Sequence, residues 1–519
     1  MELKKLSFEE ANNFSSLFLD YLSQKPELSE FYNQIPTKEG ILNVLNKRNF
    51  PVENREVLYN SLLEQNKNIS LSEKAKANLE ALRDENTFTI TTGHQLNIFT
   101  GPLYYIYKLV TIINTARQLK EAYPEYNFVP VYWMATEDHD FEEISYFNLF
   151  GKKYKWETDQ KGAVGKFDPS SISEILEAMP EESPIFKNAY SNSSTLTDAV
   201  RTYVNDLFGE EGLLIIDPDD KGLKSLFRKE IESDVFEHLP QQQAVKNSDE
   251  LEKLGYKSQV FPREINFFYM KGDVRERIEK QEDTFRVLNT DISFSLPEMQ
   301  KLIAEEPEVF SPNVILRPLF QETILPNLAY VGGPSELVYW LQLKGIFDYF
   351  NTSFPVLMPR NFALIVNTAS HKKMEKTGLK VEQLFFDSHT IKKNYLASAS
   401  ENEFSLDSER QQITDFYEEL KKKAAQIDGS LEGFIGAESA KTIKNLDNIE
   451  KRLRKSEERK HETALNQIEG IKDKLFPGGG LQERHDNFLN FYLNNPNFIR
   501  ELLEKFDPFD LRFNILIDQ

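Results

Sequence analysis

Hydrophobic and polar positions fall into three regimes along the chain. Over the first 85 or so residues apolar side chains recur three and four positions apart, as in Phe14, Leu17, Phe18, Tyr21 and Leu22 and again from 57 to 82. That spacing puts them on one face of a helix and predicts helices packed on the flank of a core. Beyond them the apolar residues gather in short runs bounded by turn residues, at 88–92, 129–135, 213–216, 314–316, 328–331 and 355–358. Runs that are apolar throughout predict strands buried on both faces, hence a mostly parallel sheet covered by helices. Between the first two runs, LYYIYKLVTIINTARQLKEAY carries Tyr104, Ile106, Leu109, Ile113 and Leu119 at helical spacing and completes a strand, helix, strand unit. Gly332 and Gly333 likewise follow a run and precede a second apolar helix, SELVYWLQLKGIFDYF. The repetition predicts an α/β protein with a doubly wound, Rossmann-like core over residues 1–372. Two longer and more polar stretches, about 152–203 and 221–312, read as insertions into it.

The third regime is charged and helical. GSLEGFIGAES separates two such segments, and in the second Leu446, Ile449 and Leu453 fall at the spacing of a coiled-coil seam. Ile468, Ile471 and Leu475 resume it after a polar middle, and Ile413, Phe416, Leu420 and Ile427 supply a matching seam. Residues 373–477 are therefore expected to form a helical coiled-coil arm that joins two copies as a homodimer. A solvated charged helix is the competing reading. PGGG at 477–480 ends the arm, and residues 478–519, rich in aromatics such as Phe488 and Phe506, are expected to return to the core.

Composition narrows the partners. Asp and Glu number 83 against 62 Lys and Arg, a formal net charge of -21, which repels polyanions, so nucleic acid is not expected. No run approaches the roughly 20 apolar residues that cross a bilayer, and MELKKLSFEEANNF has no signal-peptide pattern. No membrane partner is expected, and a cytoplasmic location is. The absence of cysteine excludes disulfides, thiolate zinc sites and cysteine nucleophiles.

Open α/β sheets bind ligands beyond the carboxyl ends of their strands. Here those ends read TTGHQLNIFTGP, TEDHDFEE, DPDD, RPLFQE and GGPSE, each loaded with polar residues. In the first, Gly93 lets backbone approach a ligand, Thr100 is expected to cap the next helix beside Gly101 and Pro102, and His94 and Gln95 are placed to donate to phosphate or carboxylate oxygens. A satisfied loop histidine is the competing reading of His94. In the second, Glu137, Asp138 and Asp140 surround His139 and are expected to raise its pKa, fitting it to hold an anion or move a proton. Arg317, Glu322, Glu336 and Arg360 also lie at or near strand ends, where the two arginines read as carboxylate clamps or, alternatively, as partners in structural ion pairs. Gly478, Gly479 and Gly480, followed by Gln482 and Arg484, offer a backbone nest with a cation beside it, or simply a helix terminator. Trp133 and Tyr132 read as core packing. The two histidines and nearby carboxylates fit no compact metal signature such as HExxH, so no metal is expected in the site. The P-loop and the dinucleotide GxGxxG are both absent.

TTGHQLNIFTGPLYYIYK, PVYWMATEDHDFEEI, LRPLFQETILPNLAYVGGPSELVYW, FPVLMPR and PGGGLQER, in this order, resemble the cysteine-adding enzymes of bacillithiol biosynthesis, the BshC family. The resemblance spans about residues 91–484. It implies a Rossmann-like core related to nucleotidylyltransferases and class I aminoacyl-tRNA synthetases, with connecting insertions and a coiled-coil arm that pairs two subunits. It further implies a ligase that joins L-cysteine to glucosaminyl malate, the last step in making bacillithiol, and forming that amide from a free carboxylate calls for ATP as co-substrate. By this resemblance His94, Gln95, Thr100, Gly101 and Pro102 fall in the first strand-end motif and Glu137, Asp138, His139 and Asp140 in the second. His94, His139 and Asp138 are the expected catalytic residues. Gln95, Thr100, Gly101, Glu137, Asp140, Arg317, Glu336 and Arg360 are expected at the substrates, and Gly479, Gly480, Gln482 and Arg484 at the nucleotide. The HIGH and KMSKS signatures of the synthetases are absent. A metal-dependent hydrolase or nucleotidyl transferase on the same strand ends is the alternative enzyme, and a non-catalytic scaffold the alternative without chemistry.

Overall fold

Five of the apolar runs form one parallel sheet in the computed structural model, which describes residues 1–400 and 405–518. Residues 401–404, inside the stretch read as the arm, and residue 519 lie outside the described residues. The strands are β1 (Thr87–His94), β2 (Asn127–Met134), β3 (Leu214–Ile216), β4 (Asn327–Gly332) and β5 (Val356–Pro359), in the spatial order β5-β4-β1-β2-β3. Thr87 to Gly93 is buried residue by residue, so both faces of the sheet are covered, as the unbroken apolar pattern requires. Helix α1 (Tyr104–Ala122) packs on β1 and β2, and N-terminal helices Lys38–Leu45 and Val52–Gln65 pack on other strands of the sheet. From β1 the chain winds outward through β2 to β3, then returns to β1's other edge as β4 and continues to β5. The winding therefore reverses between β1 and β4, the switch point at which such sheets open a crevice.

The run at 314–316 is not a strand. Asn313 bends the chain there: its side-chain oxygen accepts from the Ile315 amide at 2.9 Å and its carbonyl from Arg317 at 2.9 Å. Pro318 then sits in the first turn of helix α2 (Arg317–Ile324), where its missing N–H costs nothing. The second apolar helix is also broken in two, as α3 (Pro334–Leu341) and Lys344–Tyr349. Within 221–312 a helix, Leu239–Lys253, precedes four strands of an antiparallel sheet, Phe267–Lys271, Val274–Gln281, Thr284–Val287 and Ser293–Ser295, which Phe310–Pro312 completes.

The chain divides into two compact units: residues 1, 3–364 and 481–516, and residues 2, 365–480 and 517–519. In the first, the C-terminal segment is tied to the core by buried polar contacts. Asn487 donates to the carbonyls of Phe99 and Gly101 at 2.7 and 2.6 Å, and the Asn514 amide to Phe362 at 2.9 Å. The second unit is helical over α4 (Asp407–Ile427), α5 (Leu431–Lys460) and α6 (Glu462–Leu475). GSLEGFIGAES does not separate these helices at length: α5 begins inside it, after a turn of three residues at 428–430. Tyr417 and Thr442 hydroxyls meet at 2.7 Å and Arg410 bridges to Asp447 and Glu450, so α4 and α5 pair with each other. Among the described residues no helix is long and apolar enough to cross a membrane.

Candidate active site

A cavity of about 580 Å³ opens at the carboxyl ends of all five parallel strands. Its wall takes Gly93 and His94 from β1, Trp133, Glu137 and Asp138 from and just after β2, and Pro218 from beyond β3. Tyr330 and Gly333 to Glu336 come from β4 and the start of α3, and Arg360 from just beyond β5. Tyr104 and Lys108 of α1, Arg317 of α2, Arg275 of the inserted sheet and Arg484 also line it.

Lys108 stands where α1 crosses β1. Its ammonium donates to the Gly93 carbonyl at 2.8 Å and pairs with Glu336 Oε2 at 2.6 Å. Glu336 also accepts from the Gly333 amide at 2.7 Å, closing the start of α3, and from Tyr330 Oη at 2.8 Å. Burial alone would push this carboxyl up, yet Lys108 and the two further donors hold it down at about 2, so it is anionic. His94 lies between Tyr104 and Tyr105, with ring centroids 5.4 and 4.9 Å away. Burial, helped by nearby Lys108, lowers its pKa well below the usual imidazole value, and the ring is neutral. Its Nε2 is buried and carries no hydrogen-bond partner.

Two arginines present donors in the same state. Arg317 sits among the rings of Trp133, Tyr330 and Trp340, 5.4 to 5.8 Å from each centroid, and its Nη2 is buried and unpartnered. Arg360 is 2% exposed; Nη2 pairs with Glu483 at 2.5 Å while Nε has no partner. Arg360 is thus held in an ion pair, whereas Arg317 is held among aromatic rings. Tyr104 lies 5.2 Å from the Arg360 guanidinium and 5.7 Å from that of Arg484. Behind the wall, buried Lys224 bonds Glu137 at 2.5 Å and Asp219 at 3.3 Å. Burial would lower this ammonium, but the two carboxylates overcome it and raise its pKa.

The remaining expected residues scatter. Gln95 is in the wall and donates to Asp138 at 2.8 Å and Glu143 at 2.7 Å. His139 is outside the wall: its ring is exposed, lies over Phe268 and meets Arg275. The expected rise in its pKa is reversed, because partial burial and then Arg275 outweigh Asp138 and Asp140 and lower it. Asp140 is exposed and outside the wall. Thr100 does not cap α1, whose N-cap is Leu103; at φ 68° it turns inward, and its hydroxyl is buried without a partner. Gly101, at φ 59°, packs beneath Asn97, and neither reaches the cavity. Gly479 and Gly480 belong to the second unit, and Gln482 is buried outside the wall, so Arg484 alone of the four lines the cavity. Among the described residues no three His, Asp or Glu side chains converge as ligands.

Lys108, Tyr330 and Arg275 are the residues that pattern reading passed over. Lys108 had a signal: it is the only charged residue in the first three turns of an otherwise buried helix.

The fold and this cavity define a Rossmann-like α/β protein with an arginine-lined crevice at its strand ends. Residues 1–361 match the family described as bacillithiol biosynthesis BshC, N-terminal Rossmann-like domain, and residues 363–517 its C-terminal coiled-coil domain. Relatives named "Putative cysteine ligase BshC" come from Cytophaga hutchinsonii, 43% identical over 99% of this chain and 98% of the relative, and from Flavobacterium psychrophilum, 40% identical over 98% of each. One from Chlorobaculum tepidum is 30% identical over 97% of each. The chain belongs to the BshC family.

Proposed function

We propose that the chain is a ligase that joins L-cysteine to glucosaminyl malate, with ATP activating the cysteine carboxylate, and so completes bacillithiol. The observation that carries this reading is the convergence of Arg317, Arg360 and neutral His94 on one cavity. Such donors suit carboxylate and phosphate oxygens. A neutral imidazole suits the proton that an attacking amine must lose.

In this reading a cysteine carboxylate oxygen attacks a phosphorus of ATP, the P–O bond to the departing pyrophosphate or ADP breaks, and an acyl adenylate or acyl phosphate forms. The glucosamine nitrogen then attacks the acyl carbon. The C–N bond forms, the C–O bond to the phosphoryl group breaks, and the amine proton passes to His94 Nε2. Arg317 and Arg360 hold the malyl carboxylates, and Arg484 meets the phosphates. The supply of ATP and cysteine puts the enzyme in the cytoplasm. Removing the gene and assaying cellular thiols tests the assignment. Bacillithiol should disappear and glucosaminyl malate accumulate; unchanged bacillithiol contradicts the reading.

We also infer that the arm pairs two copies into a homodimer. After α4 and α5 have packed on each other, Phe416, Ile427, Phe434, Ile449 and Leu453 remain exposed, between 42% and 83%. An apolar row of that length on a charged helical arm favours a second copy.

A further inference from the structure

Arg317 has polar side-chain partners in Gln321 and Tyr339, and Gln321 belongs to a buried relay. Its Nη1 donates to Gln321 Oε1 at 3.1 Å, one turn along α2, while Nη2 is buried without a hydrogen-bond partner and the residue lines the cavity. A glutamine amide presents either an oxygen or an NH2 group, and only the oxygen attracts a guanidinium. Glu322 fixes the choice: Gln321 Nε2 donates to Glu322 Oε1 at 2.8 Å, turning the amide oxygen toward Arg317. The same Oε1 accepts from Asn327 Nδ2 at 2.7 Å. Asn327 Oδ1 in turn accepts from the hydroxyls of Thr89 and Thr91 at 3.2 and 2.8 Å. Gln321, Glu322 and Asn327 are at most 1% exposed, so no water competes for these groups. The bonds link the central strand to Arg317, and donation converges from both sides on Glu322 Oε1, the common acceptor. A carboxyl buried this deeply is expensive, and apolar residues of similar volume would stabilise the fold as well.

We propose that Glu322 is a positioning residue that acts through Gln321 to aim Arg317 Nη2 at a substrate carboxylate, an inference that rests on the carboxylate reading of the cavity. The test is binding of free L-malate to the full-length protein, followed by tryptophan fluorescence, since Trp133 and Trp340 flank Arg317. Crystal structures of the same variants report the guanidinium position directly. Glu322→Gln keeps an oxygen acceptor for both amides, so malate affinity should stay within about twofold and Arg317 should stay in place. Glu322→Leu and Gln321→Leu remove the fixed amide oxygen, and affinity should fall roughly tenfold or more, the scale of one hydrogen bond to a charged group. Arg317 should move in both. Should Glu322→Leu fail to fold, Gln321→Leu decides. Wild-type affinity with Arg317 undisplaced in the leucine variants overturns the proposal, as does a glutamine variant no better than the leucine one. If the wild-type protein takes no malate, the carboxylate reading fails, and the crystal structures alone decide the relay.

Discussion

Lys108 Nζ lies 2.6 Å from Glu336 Oε2 and 2.8 Å from the carbonyl oxygen of Gly93, joining α1, α3 and the end of β1 at the wall of the cavity. Lys108→Met leaves the Glu336 carboxylate without its cation. Breaking a buried pair from one side costs about 3 to 5 kcal/mol, and the partial exposure of Glu336 points to the lower end. Adding Glu336→Gln should recover most of that loss. Urea unfolding of the two variants measures it, and an equal cost for single and double variants would show that the pair is not the cause.

His94 and His139 should part company. His94→Ala removes the neutral imidazole in the wall and should cut turnover by roughly 100-fold or more, the usual scale for a lost acid or base. His139→Ala, at an exposed ring, should leave turnover within about twofold. Equal losses would place His139 in the reaction.

The pH profile follows from the same ring. Burial and Lys108 lower the His94 pKa, so the imidazole stays neutral below the ordinary imidazole range. The acid limb of kcat/KM should therefore fall at lower pH than an exposed histidine would set. A limb at the ordinary imidazole pKa that vanishes in His94→Gln would contradict the assignment of its environment.

Stability has a pH signature elsewhere. Burial raises the carboxyls of Glu230, Asp234 and Glu322 to about 7. Between the ordinary carboxylate range and about 7 the folded protein holds protons that the unfolded chain has released, so these groups weaken the fold as pH rises through that window. Asp234→Asn removes one of them, and its unfolding free energy should change less between pH 5 and 7 than that of the wild type. An unchanged slope would show that Asp234 titrates normally.

The exposed row on the arm gives a direct test of assembly. Ile449→Glu with Leu453→Glu places charge in the proposed interface and should convert a dimer to a monomer by light scattering, with the helical content retained. A dimer that survives would move the interface elsewhere.

The sheet was legible because buried parallel strands leave unbroken apolar runs, and β1, β2, β4 and β5 lie where those runs predict them. The run at 314–316 misled because three apolar residues specify no period, and the information lay in Asn313 and Pro318 on either side. The crevice was legible as a rule about strand ends rather than as a set of residues. His139 shows why: its sequence neighbours are acidic, but Arg275, 136 positions away, governs its ring. Lys108 was hidden by a helical period that counts it as one polar interruption, although its charge is the one that fixes Glu336. Thr100 looked like a cap because capping residues are read from type and position, while its positive φ comes from a tight turn held by Asn487, nearly 400 residues on.

The most direct test is to incubate the purified protein with L-cysteine, glucosaminyl malate and ATP and to follow the products by mass spectrometry. Bacillithiol and one nucleotide product, AMP or ADP, should form in a ratio near one to one, with both falling roughly 100-fold or more in His94→Ala. ATP left intact with no bacillithiol formed, under conditions where the protein is folded, would contradict it.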